Sequence, residues 1–137
     1  MRSAEWVIVW FPDTAMNARG HFLVGAATGI ALSLTKQLIQ KELYPAREFD
    51  FGECATYALV GGGMALVPDL LEPSLRNPNH RQFCHSVVFG GLVLYACCGK
   101  HTHSLPVAAR DLLAVGAMAY CSHLSVDALT PRSIRFC

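Results

Sequence analysis

Residues 68–86 combine the side-chain types that bind metal ions or transfer protons, and they lie between two apolar runs. The ionisable members of this stretch are Asp69, Glu72, Arg76, His80, Arg81 and His85. An apolar core does not require such a mixture, because buried ionisable groups cost free energy unless they are paired or bind a metal. The composition therefore indicates either a metal site or an acid–base site.

A second candidate group is formed by His123 and Asp127, which are four residues apart in a segment predicted to be helical. Residues with this spacing lie one turn apart on the same helix face. An imidazole nitrogen and a carboxylate oxygen together suit a first-row divalent metal. The structural alternative is that His123 is an ordinary hydrogen-bonded histidine near a helix end and that Asp127 caps the helix. Because the helix dipole disfavours an aspartate near a C-terminus, the functional interpretation gains weight.

Four apolar segments joined by short polar connections predict the elements that must position these groups. They run from about residue 21 to 41, 54 to 67, 83 to 98 and 107 to 129. Pro68 ends or kinks the second segment, and little of the sequence alternates as a strand would. We therefore predict an all-α fold, a four-helix up-down bundle.

This topology brings the candidate groups together without adjustment. The first segment begins with His21, the second ends with Asp69 and Glu72, the third begins near His85, and the fourth ends with His123 and Asp127. In an up-down-up-down bundle these four termini lie at one end. The histidines at 101 and 103 fall at the opposite end, where we expect a surface loop.

Composition favours membrane-embedded helices over a soluble bundle, which is the alternative. Of the 137 residues, 53% are hydrophobic and only 15% are charged, whereas typical globular chains carry roughly 25% charged residues. Mean hydropathy is +0.33. A net charge of +1 without a basic stripe gives no support to nucleic-acid binding.

The placement of the cysteines argues against a disulfide framework. Six cysteines, without a CxxC pair, lie mostly in or beside apolar segments. We expect free thiols in a reducing or membrane-buried setting.

The apolar run at residues 6–11 is shorter than the core of a signal peptide. We therefore predict an extension at residues 1–15 and a single helical metal-site domain at residues 16–137.

Four short motifs resemble those of a known family. They are Gly20-His21, Pro-Asp-Leu-Leu-Glu-Pro at 68–73, Pro-Asn-His-Arg-x-Phe-x-His-Ser at 78–86, and Ser-His-x-x-x-Asp-x-x-Thr-Pro at 122–131. The chain is similar here to small inner-membrane proteins described as predicted membrane-bound metal-dependent hydrolases, one of which is LexA-regulated. The resemblance covers about residues 16–134. It implies a helical protein of the bacterial inner membrane that depends on a metal.

Residues and resemblance together predict a membrane-bound metal-dependent hydrolase. A metal-activated water would attack a phosphodiester or an ester, including lipid-derived ones. The predicted metal ligands are His21, Asp69, Glu72, His85, His123 and Asp127. Zinc fits this set, with manganese as the alternative.

Two further residues are predicted to act on the substrate. His80 would serve as a general acid–base or as an extra ligand, and Arg81 would stabilise negative charge on a phosphate or an oxyanion. The expected partners are membrane lipid and a small-molecule or lipid substrate, and no nucleic acid. The alternatives are a non-enzymatic membrane protein that binds metal or handles ions or protons, and an interaction subunit whose polar end docks a partner.

Overall fold

The computed structural model describes residues 17–71 and 83–129, and all regular structure within them is helical. The elements are α1 (Ala18–Leu43), α2 (Phe51–Met64), α3 (Val67–Leu71), α4 (Val87–Cys98), a short 3-10 helix (Lys100–Ser104) and α5 (Val107–Ala128). The prediction of an all-helical fold with four principal helices is confirmed.

Side-chain caps define where three of these helices begin. Asn17, Asp50 and Ser86 precede α1, α2 and α4, and each accepts a hydrogen bond from the backbone N–H three residues later. Such caps satisfy N–H groups that have no partner within the helix. The third segment starts at Val87 rather than at Phe83, because the Phe83 carbonyl accepts hydrogen bonds from Ser86 and closes a turn.

Pro68 does not end the helical path of the second segment. After a short turn at residues 65 and 66, α3 begins, and Pro68 occupies its first turn. A proline is tolerated there because the first N–H groups of a helix have no intrahelical acceptor. Asp69 therefore lies on a helical turn that continues the direction of α2.

Glycine allows α1 and α2 to approach each other closely. A Cβ atom added to Gly29 would overlap the carbonyl oxygen of Tyr57, and one added to Gly25 would overlap the carbonyl oxygen of Gly61. Small residues at a helix interface permit this backbone contact. The glycines after Val60 thus pack a helix pair, and residue 63 alone among them has open space around it.

The principal helices run up, down, up and down. α1, α2 and α5 pack on one another, while α4 packs chiefly on α5. At one end of the bundle, Lys36 of α1 donates hydrogen bonds to Glu53 and Tyr57 of α2 and to Asp111 of α5. The start of α1 consequently lies beside the ends of α3 and α5, at the opposite end of the bundle.

Large apolar side chains cover much of the outer surface. Examples are Leu23, Leu38, Leu59, Val88 and Leu92, all at least half exposed. Two helical stretches in the part of the chain described are long and apolar enough to cross a membrane, Ala18–Leu43 and Phe51–Leu71, with mean hydropathies of 1.5 and 1.4. Only 22% and 28% of their most apolar windows are buried, so their apolar residues mainly face outward.

Candidate metal centre

Five side chains meet at one end of the bundle. His21 lies in the first turn of α1, Asp69 lies on α3, His85 lies just before α4, and His123 and Asp127 lie near the end of α5. Two overlapping groups among them have the geometry to hold a metal ion: His21 with His123 and Asp127, and Asp69 with His85 and His123. The donor atoms within each group lie within 4.8 Å of one another.

The two carboxylates lie between the imidazole rings. Asp127 is 3.3 Å from Nε2 of His123, 3.4 Å from Nε2 of His21 and 3.6 Å from Nε2 of His85. Asp69 is 3.4 Å from Nε2 of His85, 3.9 Å from that of His21 and 4.0 Å from that of His123. Each histidine thus directs its Nε2 atom toward both aspartates.

The histidines also contact one another. Nε2 of His123 is 3.2 Å from Nε2 of His85, and the rings of His21 and His123 stack with centroids 3.9 Å apart. A ring packed in this way loses little orientation on binding an ion. Among the residues that the structure describes, Nδ1 of His123 has no hydrogen-bond partner. In many metal sites a hydrogen bond from this nitrogen holds the ring in place, whereas here the stacking holds it.

Burial is unequal around the centre. The side chains of His21, His85 and His123 are at most 3% exposed, Asp127 is 10% exposed, and Asp69 is 28% exposed. Buried carboxylates are costly unless they are paired or bind a cation. Within the described residues, the site is therefore enclosed by α1 and α5 and is most accessible at Asp69.

The spacing of the donor atoms fits a small divalent cation. Two ligand atoms that are each about 2.0–2.1 Å from a tetrahedral ion lie roughly 3.3–3.4 Å apart. The shortest separations here are 3.2–3.4 Å. Imidazole nitrogen and carboxylate oxygen are both accepted ligands of first-row divalent metals. These buried groups could accordingly hold a metal ion.

Tyr120 supports the centre without contributing a donor atom, and the sequence analysis did not identify it. It is 1% exposed, and its hydroxyl donates a hydrogen bond to the carbonyl of Cys84, the residue before His85. Because Tyr120 precedes His123 by almost one turn of α5, it links two of the histidines. The only signal in the sequence was a tyrosine three residues before a candidate ligand, within an apolar helical segment.

The structure separates the predicted residues into three sets. It brings together His21, Asp69, His85, His123 and Asp127. Glu72, His80 and Arg81 lie outside the described residues, and their roles stay predictions. The histidines at 101 and 103 are exposed at the far end of the bundle, as expected for a surface connection.

Comparison with known proteins gives one match. A family model described as YdjM inner membrane protein matches residues 16–137. No curated protein and no solved structure matches the chain. The family match includes every residue of the candidate centre.

Proposed function

The chain belongs to the YdjM inner membrane protein family, and from this membership and the geometry of the centre we propose that it is a membrane-bound metal-dependent hydrolase. The convergence of three Nε2 atoms and two carboxylates carries the proposal. A structural zinc site is commonly closed by four protein ligands, whereas a catalytic one keeps a position open. The exposed side at Asp69 supports the catalytic alternative.

The ligands in this proposal are His21, Asp69, His85, His123 and Asp127, with Glu72 as a further ligand. Zinc suits a set rich in imidazole, and manganese is the second choice. When bound, such an ion supplies Lewis-acid chemistry and acidifies a coordinated water, which makes water a nucleophile at neutral pH.

We assign the other roles in the reaction to residues of this chain. Asp127 and the three buried histidines would hold the ion in place, while Asp69 would lie at the entrance used by the substrate. His80 would transfer a proton to or from the reacting groups. Arg81 would neutralise negative charge on a phosphate or an oxyanion, for which its planar guanidinium is suited.

The substrate proposed is a phosphodiester or an ester, including one derived from a lipid. We propose that α1 and the helical stretch from α2 through α3 cross the bilayer. At about 1.5 Å per residue, α1 with its 26 residues spans roughly 39 Å, which exceeds the ~30 Å of a bilayer core. Since the centre lies at the start of α1, it would lie near a headgroup layer.

Hydrolysis by the purified protein tests this proposal. The full chain in detergent is stripped of metal, reloaded with zinc or manganese, and assayed against phosphodiesters, simple esters and phospholipids. We expect activity only after reloading, and we expect its loss in His85→Ala. His101→Ala is the matched control, because His101 is exposed at the opposite end, and it should retain full activity. A protein that binds metal but hydrolyses none of these substrates would refute the proposal.

A second candidate function is metal or proton movement without catalysis. It is favoured by the ionisable cluster of Lys36, Glu53 and Asp111 at the other end of the same helices. Ionisable groups inside membrane bundles often mark ion pathways. Proteoliposomes loaded with a zinc-sensitive dye distinguish the two: entry of zinc that depends on Asp127 would favour transport.

A further inference from the structure

A cavity of about 420 Å³ lies between α2, α4 and α5. Its wall includes Val60 and Met64 of α2, Cys97 of α4, and Leu113 and Gly116 of α5. Among the described residues, no charged side chain and no hydroxyl or amide side chain lines it. A polar ligand would find no hydrogen-bond partner among these side chains, so the cavity suits an apolar occupant.

The packing of the helices explains why this space is open. α4 packs chiefly on α5 and leaves a groove between itself and α2. Gly116 contributes no side chain to fill it, and an added Cβ there would lie 3.1 Å from Cγ of Met64. The groove lies in an outer face of the bundle, so an apolar molecule from outside can enter it.

The groove and the candidate metal centre are formed by the same helices. Gly116 precedes His123 by seven residues on α5, which corresponds to roughly 10 Å along the helix. Met64 precedes Asp69 by five residues, and Cys97 follows His85 by twelve on the antiparallel α4. The groove thus lies roughly 10 Å along α5 from His123, and its lining residues Ala109 and Cys97 extend it toward the opposite end of the bundle.

We infer that this groove holds an acyl chain of a lipid substrate whose ester or phosphodiester bond reaches the metal centre. The inference rests on the proposed hydrolase function and names its substrate class. An inner membrane protein is surrounded by acyl chains that run roughly along its helices, which is the direction of the groove. The hydroxyl of the attacking water goes to the carbonyl carbon or the phosphorus, the bond to the leaving oxygen breaks, and that oxygen receives the proton.

Photo-crosslinking tests the occupant without requiring activity. The full chain is reconstituted in vesicles that contain a phospholipid with a diazirine at the middle of one acyl chain. After irradiation, adducts are mapped by mass spectrometry. We expect adducts at Met64 and Leu113 to exceed those at Leu92 and Tyr95, which are exposed on α4. Equal labelling of both sets would overturn the inference.

A groove-filling substitution gives the matched comparison. Val60→Trp should remove most of the groove adducts, and Leu59→Trp, at a neighbouring position that is 68% exposed, should not. Leu113→Trp fills the groove from α5 and replaces Val60→Trp if that variant does not fold. Unchanged adducts in the filled variants would overturn the inference.

Kinetics separates failure of this inference from failure of the proposed function. In the filled variants, kcat/KM for a long-chain lipid should fall about tenfold or more, while kcat/KM for a short-chain ester and the metal content stay unchanged. If wild type hydrolyses lipid and the filled variants do so equally well, the groove inference fails and the hydrolase stands. If wild type hydrolyses nothing, the proposed function fails, and the inferred substrate role fails with it even where the lipid adducts map to the groove.

Discussion

Tyr120 illustrates how a residue outside the donor set can fix its geometry. Its hydroxyl holds the carbonyl of Cys84, and the following residue, His85, faces His123 across 3.2 Å. Removing the hydroxyl frees the turn before α4 while leaving every donor atom in the chain. In many metal sites, groups that hydrogen-bond behind the ligands orient them in a comparable way.

Tyr120→Phe should therefore weaken zinc binding by up to about tenfold, because the hydroxyl acts on the backbone before His85 and not on its imidazole ring. The measurement is the zinc dissociation constant of the purified protein by competition with a chelator. Tyr95→Phe is the control, because Tyr95 is 69% exposed on α4. Identical affinities for the two variants would show that the Tyr120 hydroxyl does not position His85.

The residues of the centre differ in how far the sequence predicts them. His123 and Asp127 are readable from their spacing alone, because four residues make one helix turn. Asp69 and His85 follow only after a topology is assumed, since neither is close to the α5 pair in the chain. The link from Tyr120 to Cys84 depends on how α4 docks on α5, and hydrophobic patterning does not contain that information.

At the scale of elements, the contact between α1 and α2 determines how far apart His21 and Asp69 lie along the bundle axis. The two helices touch through backbone at Gly29 and Tyr57. A side chain at this point must push the helices apart or shift them along each other. Either movement changes the distance between His21 and Asp69, which lie at the same end of these two helices.

We predict that Gly29→Val destabilises the protein by about 1–3 kcal/mol, as overpacking of a close interface does, and lowers its metal content. Thermal unfolding in detergent and elemental analysis measure the two effects. Ala27→Val, at an exposed position of the same helix, should change neither. A stable Gly29→Val variant with full metal content would contradict the packing described.

The ionic cluster of Lys36, Glu53 and Asp111, at the end of the bundle opposite the metal centre, links three helices. Lys36 forms ion pairs with Glu53 of α2 and Asp111 of α5, and Arg47 lies 4.0 Å from Glu53. The side chains of Lys36, Glu53 and Asp111 are 12–30% exposed, so water screens them in part. Removing Lys36 takes the bridging cation from both carboxylates and leaves Glu53 with Arg47 alone.

Lys36→Met should lower stability by about 1–3 kcal/mol, less than the loss of a fully buried pair, without loss of metal. The same melting and elemental assays apply. Lys41→Met, in the exposed last turn of α1, is expected to be neutral. Loss of metal in Lys36→Met would mean that the two ends of the bundle are coupled.

Helix positions were predicted well because apolar runs and prolines delimit them, and their ends less well because caps decide them. The third segment was placed four residues early, since the turn closed by Ser86 has an apolar residue at its start. The continuation of helix beyond Pro68 was also not fixed by the sequence, because a proline suits a first turn as well as it ends a helix.

For the whole molecule, family membership places the chain in the inner membrane, and the outward-facing apolar residues show how its surface suits that environment. Composition predicted this environment, because a low content of charged residues is hard to reconcile with a water-exposed surface. It did not predict the looser attachment of α4, which depends on the shapes of the helix faces.

Labelling with a membrane-impermeant maleimide tests the proposed crossings. In a chain whose native cysteines are replaced by alanine, Glu48→Cys in the polar α1–α2 connection should be labelled when that side is accessible. Ile30→Cys and Leu59→Cys, near the middle of the two apolar stretches, should be labelled only after detergent is added. Equal labelling of all three positions in intact vesicles would exclude the proposed crossings.

The metal content of the purified chain tests the central claim most directly. Because the two candidate donor groups share His123, wild-type protein incubated with zinc and then dialysed should retain about one ion per chain. Asp111→Asn, which changes an aspartate at the far end of the same helix, should retain as much. Asp127→Ala removes the carboxylate that faces all three histidines, and it should lose the ion. Wild type without zinc, or Asp127→Ala with undiminished zinc, would contradict the account.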